Sequence, residues 1–247
     1  MHTQPEILFL LSAATVLRLR DGTEIPSGFW AEEFVVPWEI LQRTGWSLGI
    51  ATPSGQLPQV DPQSLYPENL GDDLQKVQRL RQQLTHIEAL QQPLNLRDLL
   101  QTDLSTLRGV FIPGGNGPLM DLPHSVEVAQ LLRHCRNTQV ALATLCHGSA
   151  ALLATDLRDS PAPYTGQQIT CFSAREEAAT ALAGNWPYTL EVELEKAGFR
   201  VRVGEPWHRC VVSDERVISG QNPASAPALT QAFIQRIISS QHKGLKQ

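Results

Sequence analysis

Short apolar runs alternate along this chain with segments of helical spacing, and no other feature constrains the fold as strongly. The runs have the length of buried strands and lie at residues 7–11, 47–51, 109–112, 140–145, 169–171 and 217–219. Apolar residues recur at helical spacing in residues 32–44, 119–135, 150–154, 190–197 and 226–239. This alternation predicts an α/β fold, in which helices cover both faces of a mostly parallel, doubly wound sheet. Functional groups are then expected at the carboxyl ends of the strands.

Residues 72–100 interrupt the alternation with a polar stretch that is rich in glutamine and leucine. Such a stretch is typical of an inserted helical excursion over the sheet, and its simplest form is a solvated amphipathic helix. The sequence has no internal repeat and no long linker rich in proline, glycine or serine. With 42% hydrophobic residues in a length of 247, it can form one sizeable core, so we expect a single domain over residues 1–247.

The charge and the cysteine count argue against several classes of partner. The formal net charge is -5 and lysine and arginine do not cluster, which disfavours nucleic acid and anionic membrane surfaces. The apolar stretch at residues 7–17 follows no lysine or arginine and is too short to span a bilayer. The four cysteines lack Cys-x-x-Cys spacing, so neither a zinc site nor a disulfide scaffold is indicated. We therefore expect a cytoplasmic protein, without a metal ion, that binds small molecules or proteins.

Cys146 has the sequence context of a nucleophile. It lies between the apolar run 140–145 and a stretch of small residues, with His147 beside it, and this order predicts a strand, a sharp turn and a helix. A sulfur on such a turn faces the unpaired N–H groups that open the helix, so we expect a pKa below the ordinary value of about 8.5 and a reactive thiolate. The alternative, a buried structural thiol, is our interpretation of Cys135, Cys171 and Cys210.

A glycine-rich loop, Pro-Gly-Gly-Asn-Gly-Pro, follows the apolar run 109–112. Glycine allows the backbone to approach a ligand closely and to turn its N–H groups toward it. An N–H group near Gly115 and another at His147 would flank a carbonyl group under attack by Cys146 and stabilise the developing oxyanion. The loop lacks the pattern of a phosphate-binding loop.

Two pairs of acids are candidates for orienting an imidazole or carrying a proton. Glu176 and Glu177 follow the predicted strand 169–171, and Glu32 and Glu33 open the first helix. Adjacent residues on a helix point apart, so one member of each pair at most faces the site. Acids are also common at helix N-termini because of the helix dipole, and spacing alone favours that explanation for both pairs. Trp30, just before the first helix, is a candidate roof for the pocket.

These motifs together resemble the ThiJ/PfpI superfamily, which has the class I glutamine amidotransferase-like, flavodoxin-like fold. The resemblance rests on Cys146-His147-Gly148, on the Pro-Gly-Gly loop, on the Glu32-Glu33 helix and on the run Gly-Gln-Asn-Pro-Ala-Ser-Ala at residues 220–226. Residues 28–38, 51–55, 61–64 and 172–177 resemble more closely its heat-shock chaperone and glyoxalase III branch. The matches span nearly the whole chain.

The resemblance implies a cofactor-free enzyme that converts methylglyoxal and water to D-lactate. By motif position the triad is Cys146, His147 and Glu177, with Glu33 as a helper acid. The substrate would be a small reactive aldehyde, bound near Gly115, Asn116, His147 and Trp30. The resemblance also implies a homodimer.

Three residues depart from the family pattern. Relatives often carry histidine where Asn116 stands, glycine or alanine at Thr144, and glycine at Cys171. Asn116 can donate a hydrogen bond but cannot carry a proton near neutral pH, so reactivity toward glyoxals is expected to be weaker or directed elsewhere. The alternatives are repair of glycated amino and thiol groups, a holding chaperone or redox sensor, and amidase or peptidase action.

Overall fold

A twisted, mostly parallel sheet of seven strands forms the centre of the computed structural model, which describes residues 4–155 and 162–244. Its strand order is β10-β11-β7-β6-β1-β4-β5, and the described neighbours are parallel except for β10, which runs antiparallel to β11. The strands are β1 (Ile7–Leu10), β2 (Val16–Arg18), β3 (Glu24–Pro26), β4 (Leu48–Thr52), β5 (Leu94–Asn95), β6 (Gly109–Ile112), β7 (Ala141–Leu145), β8 (Gln168–Ile169), β9 (Arg200–Val201), β10 (Val211–Ser213) and β11 (Ile218–Gly220).

The order of the five central strands confirms the predicted fold class. In chain order, β4-β1-β6-β7-β11 is the flavodoxin-like sequence 2-1-3-4-5. The direction of winding reverses between β1 and β6, whose register pairs Ile7 with Gly109 and Phe9 with Phe111. In such sheets the crevice for a ligand opens at the carboxyl ends of the strands beside this reversal.

Helices cover both faces of the sheet, as predicted. The α-helices are α1 (Ala31–Gln42), α2 (Leu74–His86), α3 (Leu96–Leu99), α4 (Val126–Thr138), α5 (Ala174–Ala178), α6 (Leu190–Lys196) and α7 (Ala226–Gly244). Two hydrophobic clusters lie on opposite faces. Phe9 of β1 belongs to the cluster that contains side chains of α1, α2 and α7. Its neighbour Leu10 belongs to the cluster that contains side chains of α3, α4 and α6, because successive side chains of a strand alternate between faces. Among the described residues, no helix is long and apolar enough to cross a membrane.

Three predicted elements differ from the structure. The helix predicted at 119–135 begins only at Val126, because Pro118 and Pro123 lie in two preceding 3-10 segments and Ser125 caps α4 by accepting the N–H of Val128 at 3.2 Å. The run 169–171 was expected in the central sheet, but β8 pairs with β9 in a separate two-stranded sheet. The helix predicted at 150–154 falls mostly within a longer 3-10 segment, Cys146–Leu153.

The 3-10 segments are Pro62–Leu65, Pro67–Leu70, Glu88–Gln91, Gly117–Leu119, Leu122–His124, Cys146–Leu153 and Pro223–Ser225.

The segment 72–100 combines a surface helix with an edge strand. Helix α2 is amphipathic and lies against α1, where Lys76 forms an ion pair with Glu32 at 2.6 Å. The strand β5, which the sequence did not predict, extends the central sheet beside β4. The segment therefore forms part of the sheet as well as a helical excursion.

Candidate active site

A cavity of about 750 Å³ opens at the carboxyl ends of β6 and β7. The loops that follow these strands and the start of α1 contribute to its wall. The side chains or backbone of the residues predicted for the nucleophile, the helper acid and the binding groups line it together. They are Trp30, Glu33, Gly115, Asn116, Cys146 and His147. Glu177 does not line the cavity and lies behind His147.

Cys146 occupies the sharp turn that the sequence predicts. It follows β7 directly and has a φ of +56°, a left-handed conformation that is strained for a residue with a side chain. Strained turns of this kind, between a strand and a helix, present a nucleophile toward a pocket in other folds. The residue is 6% exposed, so its sulfur reaches solvent only through the cavity.

The expected depression of the Cys146 pKa is not found. Burial, and next the neighbouring carboxyl group of Glu33, raise the pKa of the Cys146 thiol well above its ordinary value. The amide of His147 acts in the opposite direction, by hydrogen bonding to the sulfur, but is outweighed. Loss of hydration dominates the single backbone donor at this turn. The sulfur of the resting protein therefore carries its proton.

Glu33 is the acid of its pair that faces the site. It is fully buried, and its Oε2 accepts the N–H of Gly114 at 2.9 Å. Burial raises its pKa to about 8, although hydrogen bonds with Cys146 and Gly114 act in the opposite direction. Glu32, its neighbour, is turned outward to Lys76. Spacing alone favoured the common placement of acids at a helix N-terminus for this pair. Glu33 does lie in the first turn of α1, and it is also a protonated carboxyl group beside the thiol at neutral pH.

Gly114 is required by the close approach of Glu33 to Cys146. A Cβ atom at this position would lie 2.5 Å from Glu33 Oε2 and 2.7 Å from the Cβ of Cys146. No side chain can occupy that space without separating the acid from the thiol. The loop therefore needs glycine here for the geometry of the site.

His147 is held on three sides. Its Nε2 lies 3.4 Å from Glu177 Oε1, which also accepts the N–H of Leu190 at 3.2 Å. The centre of the imidazole ring is 4.7 Å from that of Phe172 and 5.0 Å from that of Trp186. Both His147 and Glu177 are buried, so the acid fixes the orientation of the imidazole ring. Spacing alone favoured a helix N-terminal position for Glu177, which does lie in the first turn of α5 but also contacts His147.

The glycine-rich loop and Trp30 form a further part of the cavity wall. Gly115 has a φ of +109°, and a Cβ atom there would lie 2.4 Å from the carbonyl oxygen of Gly28. The amide of Trp30 donates to the carbonyl of Gly114 at 2.9 Å, which ties the start of α1 to this loop. The indole N–H of Trp30 is buried and has no hydrogen-bond partner among the described residues.

A family profile described as ThiJ/PfpI family-like matches residues 26–189, which is more than half of the chain. This chain belongs to the ThiJ/PfpI-like family.

Two curated relatives cover most of this ThiJ/PfpI-like protein. The protein/nucleic acid deglycase HchA of Pseudomonas aeruginosa is 26% identical over 231 residues, which are 90% of this chain and 77% of the relative. The protein of the same name from Staphylococcus aureus is 24% identical over 243 residues, 95% of this chain and 80% of the relative. Glyoxalase III from Candida albicans has a similar structure, with a TM-score of 0.72 and 20% identity over 93% of this chain and 96% of that chain. The structural likeness shows a shared fold.

Glu176, the neighbour of Glu177, holds the family's Gly-Gln-Asn-Pro run in place. Its Oε1 accepts the N–H of Trp207 at 2.8 Å and the side-chain amide of Asn222 at 2.7 Å. Its Oε2 accepts the amide of Gln221 at 3.0 Å and both donors of Ser173, the N–H at 2.9 Å and the hydroxyl at 2.7 Å. The pattern Ser-Ala-Arg-Glu at 173–176 is a capping box and could have revealed that Glu176 folds back onto its own helix.

Two further tryptophans, Trp186 and Trp207, belong to the site. Both line the cavity. Trp207 is 50% exposed and has a φ of +64°, a backbone conformation that is strained for a residue with a side chain. The hydrogen bond from its N–H to Glu176 stabilises this conformation. Isolated tryptophans carry no sequence signal that separates a cavity wall from a core, and Trp186 belongs to both.

Thr144 and Cys171, two of the departures from the family pattern, do not line the cavity of this ThiJ/PfpI-like protein. The Thr144 hydroxyl pairs with that of Ser149 at 2.9 Å, behind the turn. Cys171 is buried in the hydrophobic core, where burial raises the pKa of its thiol well above the ordinary value. Asn116, the third departure, does line the cavity. In the described part of the chain, no three histidine, cysteine or acidic residues are grouped to hold a metal ion.

Replacing Glu176 with alanine is expected to lower the free energy of unfolding by about 3 kcal/mol or more, because buried donors of Trp207, Gln221 and Asn222 lose their acceptor. Urea denaturation measures the change. The control is Glu205→Ala, which removes an exposed acid that contacts Arg175 at 3.2 Å and should have a small effect. Equal stability of the two variants would contradict a structural role for Glu176.

Proposed function

We propose that this protein is a cofactor-independent glyoxalase that converts methylglyoxal and water to D-lactate. One observation carries the proposal: a thiol on a strained turn at a cavity, with a buried neutral carboxyl group on one side and an imidazole held by a second buried acid on the other. These are the groups that addition to an aldehyde and a proton shift between adjacent carbons require.

In the first step the sulfur of Cys146 bonds to the aldehyde carbon and forms a hemithioacetal. The thiol proton passes to His147, whose ring is oriented by Glu177. The developing oxyanion is stabilised by N–H groups near Gly115 and His147. Glu33 remains neutral during this step, so the thiolate forms without a second negative charge beside it.

In the second step a proton moves from the former aldehyde carbon to the neighbouring ketone carbon through an enediol. His147, neutral again after it gives the thiol proton to the hemithioacetal oxygen, removes this proton and returns it to the neighbouring carbon. Glu33 donates its proton to the ketone oxygen as the enediol forms, and takes a proton back from the other hydroxyl as the thioester forms. The product is a thioester of the 2-hydroxy acid, which water hydrolyses to D-lactate and free Cys146. One carbon is oxidised and its neighbour is reduced by the same amount, so the reaction needs no external electron acceptor.

Repair of glycated amino and thiol groups is a second candidate. The two curated relatives are named protein/nucleic acid deglycases. The same thiol would attack the aldehyde-derived carbon of an adduct, and the cavity has room for the group that carries it. The two activities differ in whether the free aldehyde or the adduct is the faster substrate.

The test is incubation of the purified protein with methylglyoxal, without glutathione, followed by a chiral lactate assay. We expect D-lactate, and Glu177→Gln is expected to lower kcat by about 100-fold with a small change in KM, because the imidazole loses the acid that orients its ring. A parallel assay with N-acetylcysteine pretreated with methylglyoxal measures release from the adduct. If lactate forms from the adduct only as fast as free aldehyde is released spontaneously, the glyoxalase activity alone explains the product and no deglycase activity is needed. No lactate from the free aldehyde would overturn the proposal in favour of the deglycase.

A further inference from the structure

The cavity beside Cys146 is much larger than methylglyoxal. A volume of about 750 Å³ lies in the range of roughly 300–1,000 Å³ that is typical of pockets for drug-sized ligands. A water molecule takes about 30 Å³ in the liquid, and a three-carbon aldehyde has the bulk of only a few water molecules. Methylglyoxal therefore leaves most of the cavity empty of substrate.

The unfilled part of the cavity has an aromatic wall that continues from the site to the surface. The ring of Phe172 lies 4.7 Å from His147 and 5.5 Å from Trp207, measured between ring centres. Trp207 is half exposed at the mouth, and Trp30 and Trp186 also line the cavity. A flat apolar group attached next to the aldehyde would be removed from water against these rings, which stabilises its complex.

The charge of the wall disfavours anionic substrates. Within the part of the chain that the structure describes, neither lysine nor arginine lines the cavity, whereas the exposed acid Glu68 does, and the other acid of the wall, Glu33, is neutral. A carboxylate or phosphate on the substrate would lose hydration against an apolar wall and would gain no cation in return. Uncharged substrates avoid this cost.

We infer that the substrates of this site are 2-oxoaldehydes that carry an uncharged apolar or aromatic group on the ketone carbon. The inference rests on the proposed glyoxalase function. For phenylglyoxal the aldehyde carbon is oxidised to a carboxylic acid, the ketone carbon is reduced to an alcohol, and one water molecule is added, so the product is mandelate.

The test compares initial rates with three probes, which are methylglyoxal, phenylglyoxal and 4-carboxyphenylglyoxal. Short incubations are needed because arylglyoxals also modify arginine side chains. We expect kcat/KM for phenylglyoxal to exceed that for methylglyoxal by at least about 10-fold, from burial of the ring. The added carboxylate should lower kcat/KM by about 10-fold or more relative to phenylglyoxal, because the two molecules share the ring and differ in charge.

A pair of charge variants tests whether the cavity wall causes the preference for the uncharged probe. Glu68→Lys places a cation at the exposed edge of the cavity and should raise kcat/KM for the carboxylate probe about 3- to 10-fold relative to phenylglyoxal. Glu88→Lys makes the same change of charge at an exposed acid outside the cavity wall and should leave this ratio unchanged. Equal effects of the two variants would show that the net charge of the protein, and not the cavity, sets the ratio.

The outcomes separate this inference from the proposed function. If methylglyoxal is converted to D-lactate with kcat/KM equal to or above that for phenylglyoxal, the inference fails and the glyoxalase proposal stands. Equal rates for the charged and uncharged aryl probes would also overturn the inference. If the folded protein converts none of the three aldehydes, the proposed function itself fails.

Discussion

Replacement of Cys146 by serine is expected to lower kcat/KM for methylglyoxal by about four orders of magnitude or more. The nucleophile takes part in every covalent step, and removal of a nucleophile has effects of this size in other enzymes. Serine fills nearly the same space, so the turn and the cavity should persist. The chiral lactate assay measures the loss, and thermal unfolding checks that the fold is retained.

Cys210→Ser is the matched control for this substitution. Cys210 is half-buried and lies outside the cavity wall. Its backbone N–H donates to the Ser225 hydroxyl, and that hydroxyl donates to the carbonyl oxygen of Cys210. Its replacement should leave the activity within a factor of about two. If the Cys146→Ser protein still makes D-lactate at a substantial rate, a mechanism through a covalent thioester at Cys146 is excluded.

Glu33→Gln is expected to reduce kcat for methylglyoxal by about 100-fold or more and to change the pH dependence of stability. Glutamine keeps the size of the side chain and can still be approached by the Gly114 N–H, but it cannot exchange a proton with the substrate. The adjacent substitution Glu32→Gln is the control, because the Glu32 carboxylate pairs with Lys76 away from the thiol. Unchanged kcat in the Glu33 variant would remove this acid from the mechanism.

The sign of the stability effect follows from the raised pKa of Glu33. Between its ordinary pKa of 4.5 and its folded pKa of about 8, the folded protein keeps a proton that the unfolded chain releases. The free energy of unfolding therefore falls as pH rises through this window, by up to about 1.4 kcal/mol per pH unit from this group, and is highest below the window. Glutamine has no such proton, so urea denaturation across the window should show a flatter profile for Glu33→Gln than for the wild type or Glu32→Gln. Parallel profiles would show that Glu33 is ionised in the folded protein.

The sequence predicted the fold well because its signals are local. Short apolar runs separated by helical periodicity are sufficient to predict a parallel sheet, and the runs at 7–11, 109–112 and 140–145 lie within one residue of β1, β6 and β7. The run 169–171 was also predicted as a strand of this sheet, but β8, which ends at Ile169, pairs with β9 in a separate sheet. Pairing partners far apart in sequence are chosen by tertiary packing, and composition alone does not contain that choice.

The two acid pairs show the same limit at the site. The sequence indicated that one acid of each pair at most could face the site, because adjacent helical residues point apart. The sequence did not indicate whether either pair of acids lies at the site. Burial against Gly114 distinguishes Glu33 from Glu32, and contact with His147 distinguishes Glu177 from the structural acid Glu176.

The sequence by itself determined the order of the elements, the sharp turn at Cys146 and the groups that gather at the carboxyl ends of β6 and β7. Tertiary structure alone decided whether the side chains of those groups carry a proton, and how large the cavity beside them is. Because a pKa depends on every atom that excludes water from a group, the enclosed thiol of Cys146 has a raised pKa where the local turn predicted a lowered one. The aromatic wall of the cavity likewise comes from residues as distant in sequence as Trp30 and Trp207, which only the folded chain brings together.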